Sequence, residues 1–140
     1  MSDVKMACFD ELIVGQLYST VNTVSDADIV KFSEVTGDVN PIHLDDDYAK
    51  SSVFGARIAH GMISAGYISA IFGTKFPGAG SIYLSQSLKF RAPVKIGDTV
   101  ETTVTITDLN EKRKYVTLKC ECKVRDVIVL TGEAQLKVPS

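Results

Sequence analysis

The sequence predicts an α+β fold, in which a curved antiparallel sheet wraps around one long central helix. Three observations carry this. Helix-type spacing runs through the first half, the stretch 61–76 is apolar on nearly every side, and period-two alternation begins at Ser81. A helix apolar all round is normally buried, and a sheet curved around it would hide every face. At 140 residues, with no internal repeat and no Pro/Gly/Ser-rich linker, residues 1–140 read as a single domain.

Residues 17–24 read as an opening strand. Ser25-Asp26-Ala27-Asp28 then forms an N-cap followed three residues later by an acid, and Ile29, Val30, Phe32, Ser33 and Val35 supply a short apolar face. A helix is expected over 26–36, with Gly37 at its left-handed end. Residues 38–42 are expected to be irregular, because Pro41 biases Asn40 toward extended backbone and both Asp38 and Asn40 favour side-chain-to-backbone turns. Asp45-Asp46-Asp47 suits the acidic first turn of a short helix. It lacks the glycine, further oxygen ligands and distal Glu of a calcium loop.

After a loop through Phe54-Gly55-Ala56-Arg57 comes the long apolar helix. Beyond it, Ile82, Leu84, Gln86, Leu88 and Phe90 alternate with Tyr83, Ser85, Ser87 and Lys89, and Val100, Thr102, Val104 and Ile106 repeat the pattern. Runs at 115–125 and 127–138 meet at Arg125-Asp126, a tight hairpin. About four long strands plus the opening one make the sheet, and its open edge invites dimerisation by edge pairing.

Composition excludes several function classes. Fifteen Lys+Arg against 17 Asp+Glu give a net charge of −2 with no dense basic block, so nucleic acid is not expected as a partner. The longest nearly uncharged stretch, 61–74, falls short of the about 20 residues a bilayer span needs, so no membrane association is expected. The opening Met1-Ser2-Asp3-Val4-Lys5-Met6 lacks the basic start, apolar run and cleavage site of a secretory signal, which points to the cytoplasm. Cys8, Cys120 and Cys122 contain no C-x-x-C pair, and the last two share one strand face. They are expected as packed, reduced thiols, with no metal site and no disulfide.

Two histidines, His43 and His60, are the imidazoles available for acid–base work. Asp38 stands five residues before His43, with Asn40 and Pro41 between them in a loop able to aim both side chains at one water. On the residues alone, an Asx turn at Asp38 and a locally bonded His43 outweigh such a dyad. Ala59-His60-Gly61-Met62 opens the apolar helix, where unpaired N–H groups sit at the positive end of the dipole and Gly61 permits close approach of a carbonyl. The competing reading is a glycine that eases helix entry, with His60 capping or packing there. A serine nucleophile elbow and phosphate-binding glycine loops are both missing from the sequence.

The string Phe32-Ser33-Glu34-Val35-Thr36-Gly37-Asp38-Val39-Asn40-Pro41-Ile42-His43-Leu44-Asp45, then Ala59-His60-Gly61-Met62, Gly80-Ser81-Ile82-Tyr83-Leu84 and Phe90-Arg91-Ala92-Pro93-Val94-Lys95-Ile96-Gly97-Asp98, resembles the MaoC-type, R-specific enoyl-CoA hydratase family along nearly the whole chain. The resemblance implies a hotdog fold, usually a homodimer, and reversible hydration of trans-2-enoyl-CoA to (3R)-3-hydroxyacyl-CoA in fatty-acid metabolism or polyester precursor supply. No cofactor is implied, coenzyme A being part of the substrate. It further implies that Asp38 and His43 hold the catalytic water, that Asn40 orients them and that the Gly61 N–H receives the thioester oxygen. Which of Asp38 and His43 protonates the α-carbon stays open.

An acyl tunnel along the helix would place Ala65, Ile68, Ser69 and Phe72 on its wall by spacing, with Phe72 either shortening the tunnel or filling the core. Lys89, Arg91 and Lys95 would meet the phosphates of coenzyme A or of an acyl-carrier protein, or simply lie on a solvated face. Three alternatives remain beside the hydratase. They are a 3-hydroxyacyl-carrier-protein dehydratase, a hotdog acyl-CoA thioesterase and a non-catalytic subunit of a heteromer.

Overall fold

The computed structural model describes residues 3–140, so Met1 and Ser2 of the opening segment lie outside it. After a 3-10 turn at Phe9–Glu11, the elements run β1 (Leu17–Thr23), α1 (Asp26–Thr36), α2 (Pro41–Leu44), α3 (Asp46–Lys50), α4 (Gly61–Thr74), β2 (Ile82–Gln86), β3 (Lys89–Phe90), β4 (Thr99–Asn110), β5 (Tyr115–Val124) and β6 (Val127–Lys137). All six strands form one antiparallel sheet in the order β1-β4-β5-β6-β2, with β3 also on β6. This is the hotdog arrangement of a sheet curved over a long helix.

Local chemistry explains α1. The Ser25 side chain accepts from the Asp28 N–H while the Asp28 carboxylate accepts from the Ser25 N–H, which holds that carboxyl below its ordinary range. Gly37 closes the helix at φ 79°, a left-handed backbone conformation that glycine adopts without penalty. The expected irregularity at 38–42 ends earlier than the sequence suggests, because Pro41 opens the one-turn α2 at a position where its missing N–H costs nothing. Asp45 caps α3 by accepting from the Tyr48 N–H.

The core lies between α4 and the concave face of the sheet. Val100, Thr102, Val104 and Ile106 of β4, Val116, Leu118, Cys120 and Cys122 of β5 and Leu130, Ala134 and Leu136 of β6 pack against Ile63, Ser64, Ile68, Ile71 and Phe72. Cys120 and Cys122 share that face as free thiols, and burial pushes Cys120 up to about 12 and Cys122 upward, so neither is a thiolate at neutral pH.

Two expectations need correction. The sheet does not bury every face of α4 in the single chain: Met62, Gly66, Ser69, Ala70 and Gly73 stay exposed, because six strands curve over only one side of the helix. The alternating run at 81–90 is also not one strand. Its register on β6 shifts between Tyr83 and Ser85, and Ser87 turns its N–H and its hydroxyl onto the Glu133 backbone, which separates β2 from β3.

Candidate active site

The end of α1, the loop at Asp38, α2 and the segment before α4 meet around His43 and His60. The Asp38 carboxylate follows the Gly37 turn, exposed to solvent, and one of its oxygens accepts from the Asn40 N–H at 3.4 Å. The Asn40 side chain in turn accepts from the Ile42 N–H at 3.1 Å and so starts α2. One asparagine therefore holds the carboxylate with its backbone and begins, with its side chain, the turn that carries His43.

His43 is buried and its Nδ1 lies 2.7 Å from the Ile58 carbonyl. A carbonyl can only accept, so Nδ1 carries the proton and Nε2 of the neutral ring is a bare acceptor. His60 stacks on His43 with ring centroids 3.8 Å apart, and Phe32 lies against its other side at 4.7 Å. Nε2 of His60 is 3.1 Å from both the Asp38 carbonyl and the Ser33 hydroxyl. His60 thus gives α4 no side-chain cap; it braces the backbone of Asp38 and the ring of His43. The sequence reads His60 as capping or packing; the structure removes the cap and adds these partners.

One side-chain ligand atom from each of Asp38, His43 and His60 falls within 4.8 Å of the others, the one such cluster among the described residues. The two imidazole rings lie 29° from parallel.

Gly61, the first residue of α4, directs its N–H out of a helix end where no earlier carbonyl can receive it. A Cβ there would stand 2.5 Å from Cε1 of Phe90, so the cavity wall closes to within a hydrogen of this backbone. The cavity beside it, about 380 Å³, is bordered by Phe54, Ser64, Phe90, Arg91 and Leu130 among others. A second groove of about 500 Å³ follows α4 past Met62, Ala65, Gly66 and Ser69, with Tyr83 and Leu84 opposite.

Ala65 and Ser69 therefore border a groove, as their spacing predicts. Ile68 and Phe72 do not: at 0% and 2% exposure they belong to the core. The side of α4 below Gly61 faces the sheet, and the groove lies about a quarter turn round the helix. Phe72 backs the groove from beneath, edge-on to Tyr83 at 5.3 Å. Arg91 reaches the first cavity and donates from Nε to the Thr131 hydroxyl at 3.2 Å. Lys89 and Lys95 are exposed, the first beside Arg91 on β3 and the second in the loop that bridges to Ile58.

Fold and site together define a hotdog protein with a carboxylate–imidazole pair near the amino terminus of the long helix, where Gly61 borders an apolar cavity. The sequence profile of the MaoC like domain matches residues 13–127, and the chain belongs to that dehydratase family. It is 49% identical over 138 residues to an (R)-specific enoyl-CoA hydratase of Rhodospirillum rubrum, covering 99% of this chain and 96% of the relative. Identity to a 3-hydroxybutyryl-CoA dehydratase of Methylorubrum extorquens is 47%, over 99% and 88% of the two chains. The solved (R)-hydratase of A. caviae involved in PHA biosynthesis superimposes with a TM-score of 0.90 at 38% identity, covering 92% of this chain and 98% of that one.

Proposed function

We propose that this chain is an (R)-specific enoyl-CoA hydratase, a hydro-lyase that adds water reversibly to trans-2-enoyl-CoA. The observation that carries the mechanism is the His43 Nδ1–Ile58 carbonyl bond, which leaves Nε2 free to accept from water, with a ring nitrogen of His43 within 4.8 Å of an Asp38 carboxylate oxygen. Water bound between them loses a proton to the pair as its oxygen bonds to the β-carbon. The alkene electron pair moves to the thioester oxygen, where the Gly61 N–H receives the developing enolate. A proton from the pair then returns to the α-carbon on the same face, giving the (3R)-3-hydroxyacyl thioester. Asn40 orients both members.

The acyl chain runs along α4 past Ala65 and Ser69. Lys89, Arg91 and Lys95, on one segment at the cavity, meet the coenzyme A phosphates. The exposed apolar strip of Met62 at 52%, Ile82 at 56%, Tyr83 and Leu84 supports a homodimer that covers α4 and the β2 edge. No helix among the described residues is long and apolar enough to cross a membrane, and three free cysteines agree with a reducing, cytoplasmic setting.

Mixing the pure protein with crotonyl-CoA and following the enoyl absorbance tests the reading. Rapid loss with (3R)-3-hydroxybutyryl-CoA as product is expected. An (S) product or free thiol release overturns it, and much better turnover on an acyl-carrier thioester reassigns the substrate.

Gly61→Ala separates stability from catalysis. Gly61 is the first residue of α4, where alanine's interior helix preference counts for little, and Phe90 is 54% exposed and can give way, so thermal melting is expected to change little. The added methyl drives the Phe90 ring across the cavity, and kcat/KM is expected to fall about tenfold or more. Wild-type kinetics in this variant contradict the placement of the thioester oxygen.

A further inference from the structure

We propose that Arg57 is a positioning residue, whose guanidinium locks the single helical turn carrying His43 and so sets the direction of the imidazole. The inference rests on the hydratase reading for its effect on turnover, and on geometry alone for its effect on His43. A four-residue helix such as α2 cannot hold itself, since nucleation costs more than so few hydrogen bonds return. Its final carbonyls also lack helix partners. Nε of Arg57 donates to the His43 carbonyl at 2.6 Å, and Nη2 donates to Asp26 Oδ1 at 2.6 Å. Nη1 lies 3.9 Å from Asp46 Oδ1. One fork thereby ties the end of α2 to the first turns of α1 and α3.

The next residue completes the grip. The Ile58 N–H donates to the Ile42 carbonyl at 3.3 Å, and the Ile58 carbonyl takes the His43 Nδ1–H. His43 is thus held at its backbone by the side chain of residue 57 and at its ring by the backbone of residue 58. The anchor is itself fixed, because the Ala59 N–H donates to the Val94 carbonyl at 2.7 Å.

The Arg57 side chain is only 11% exposed, whereas Asp26 and Asp46 are 60% and 85% exposed. Ion pairs so open to water contribute little to stability, so they do not account for burying a guanidinium. The contact that burial protects is the one to the His43 carbonyl. Divergent, coplanar donors suit two acceptors in different directions with a third carboxylate at ion-pair distance, which a lysine ammonium cannot reproduce.

The test compares Arg57→Gln, Arg57→Lys and Asp26→Asn with the wild type by steady-state kinetics on crotonyl-CoA, thermal melting and the His43 Nδ1–H resonance in proton–nitrogen spectra. In Arg57→Gln, kcat is expected to fall about ten- to a hundredfold with KM held within about twofold, and the His43 resonance to shift or broaden. Arg57→Lys should fall between, and Asp26→Asn, altered at an exposed site, should lose a few-fold in kcat. If Arg57→Gln does not fold, the other two variants decide in the same way. Unchanged kcat per folded molecule with a lowered melting temperature means a purely structural role and overturns the proposal. A wild type inert on every enoyl thioester sinks the hydratase reading alone. The His43 resonance then decides, and an unmoved signal in Arg57→Lys overturns the positioning role.

Discussion

Asp38→Asn and His43→Gln are each expected to lower the hydration rate about a hundredfold or more, the scale of a lost general acid or base. Both replacements spare the fold. Asparagine has the shape of the carboxylate and sits at an exposed position, and a glutamine amide at 43 can still donate to the Ile58 carbonyl. What each removes is basicity at the water. Asp38→Asn leaves Nε2 alone to orient it, and His43→Gln leaves a carboxylate without its partner. Because the two groups act on one molecule of water, the double variant should lose little more than the worse single one. Circular dichroism confirms folding, and stopped-flow loss of enoyl absorbance gives the rates. Near-normal turnover in either variant removes the dyad.

Phe72→Ala is expected to destabilise the protein by about 3–5 kcal/mol, the range for deleting a buried aromatic. Roughly 10–20 °C of melting temperature should go with it in a chain of this size. Phe72 is 2% exposed, packs under the sheet and meets Tyr83 edge-on, so neighbours on both sides prevent the cavity from collapsing. The same deletion opens space beneath the groove bordered by Ser69 and Tyr83. Molecules that remain folded should therefore favour longer enoyl chains in kcat/KM, a shift that Phe72→Leu should show more mildly with less loss of stability. A melting temperature at the wild-type value would mean that Phe72 carries no core packing.

The dyad residues of the candidate site are neighbours in the chain, but on the residues alone an Asx turn at Asp38 outweighs a dyad, and their roles are what the family resemblance implies. Asp38, Asn40 and His43 lie within six positions, from the loop after α1 into α2, and the hydrogen bonds that orient Asn40 join residues two apart. Gly61 was readable because a helix opening exposes its N–H whatever surrounds it. His60 and Arg57 were not readable. The partners of His60 are Ser33 and Asp38, more than twenty residues away, and Arg57 looked like one charge in a loop. Spacing places Ile68 and Phe72 on a tunnel wall, with core filling the other reading of Phe72, and the structure buries both, since periodicity gives the side of a helix but not what faces that side.

By itself the sequence determined the α+β class, α1 with both its caps, the acidic start of α3, the start of α4 and the hairpin at Arg125-Asp126. Each follows from interactions that close within a few residues, where residue type and spacing are sufficient causes. Tertiary structure alone decided that α2 is helical and clamped from outside, that the run at 81–90 breaks into two strands, that α4 keeps one face open, and that His60 stacks on His43. These depend on groups far apart in the chain, whose meeting is set by how the sheet curves over the helix.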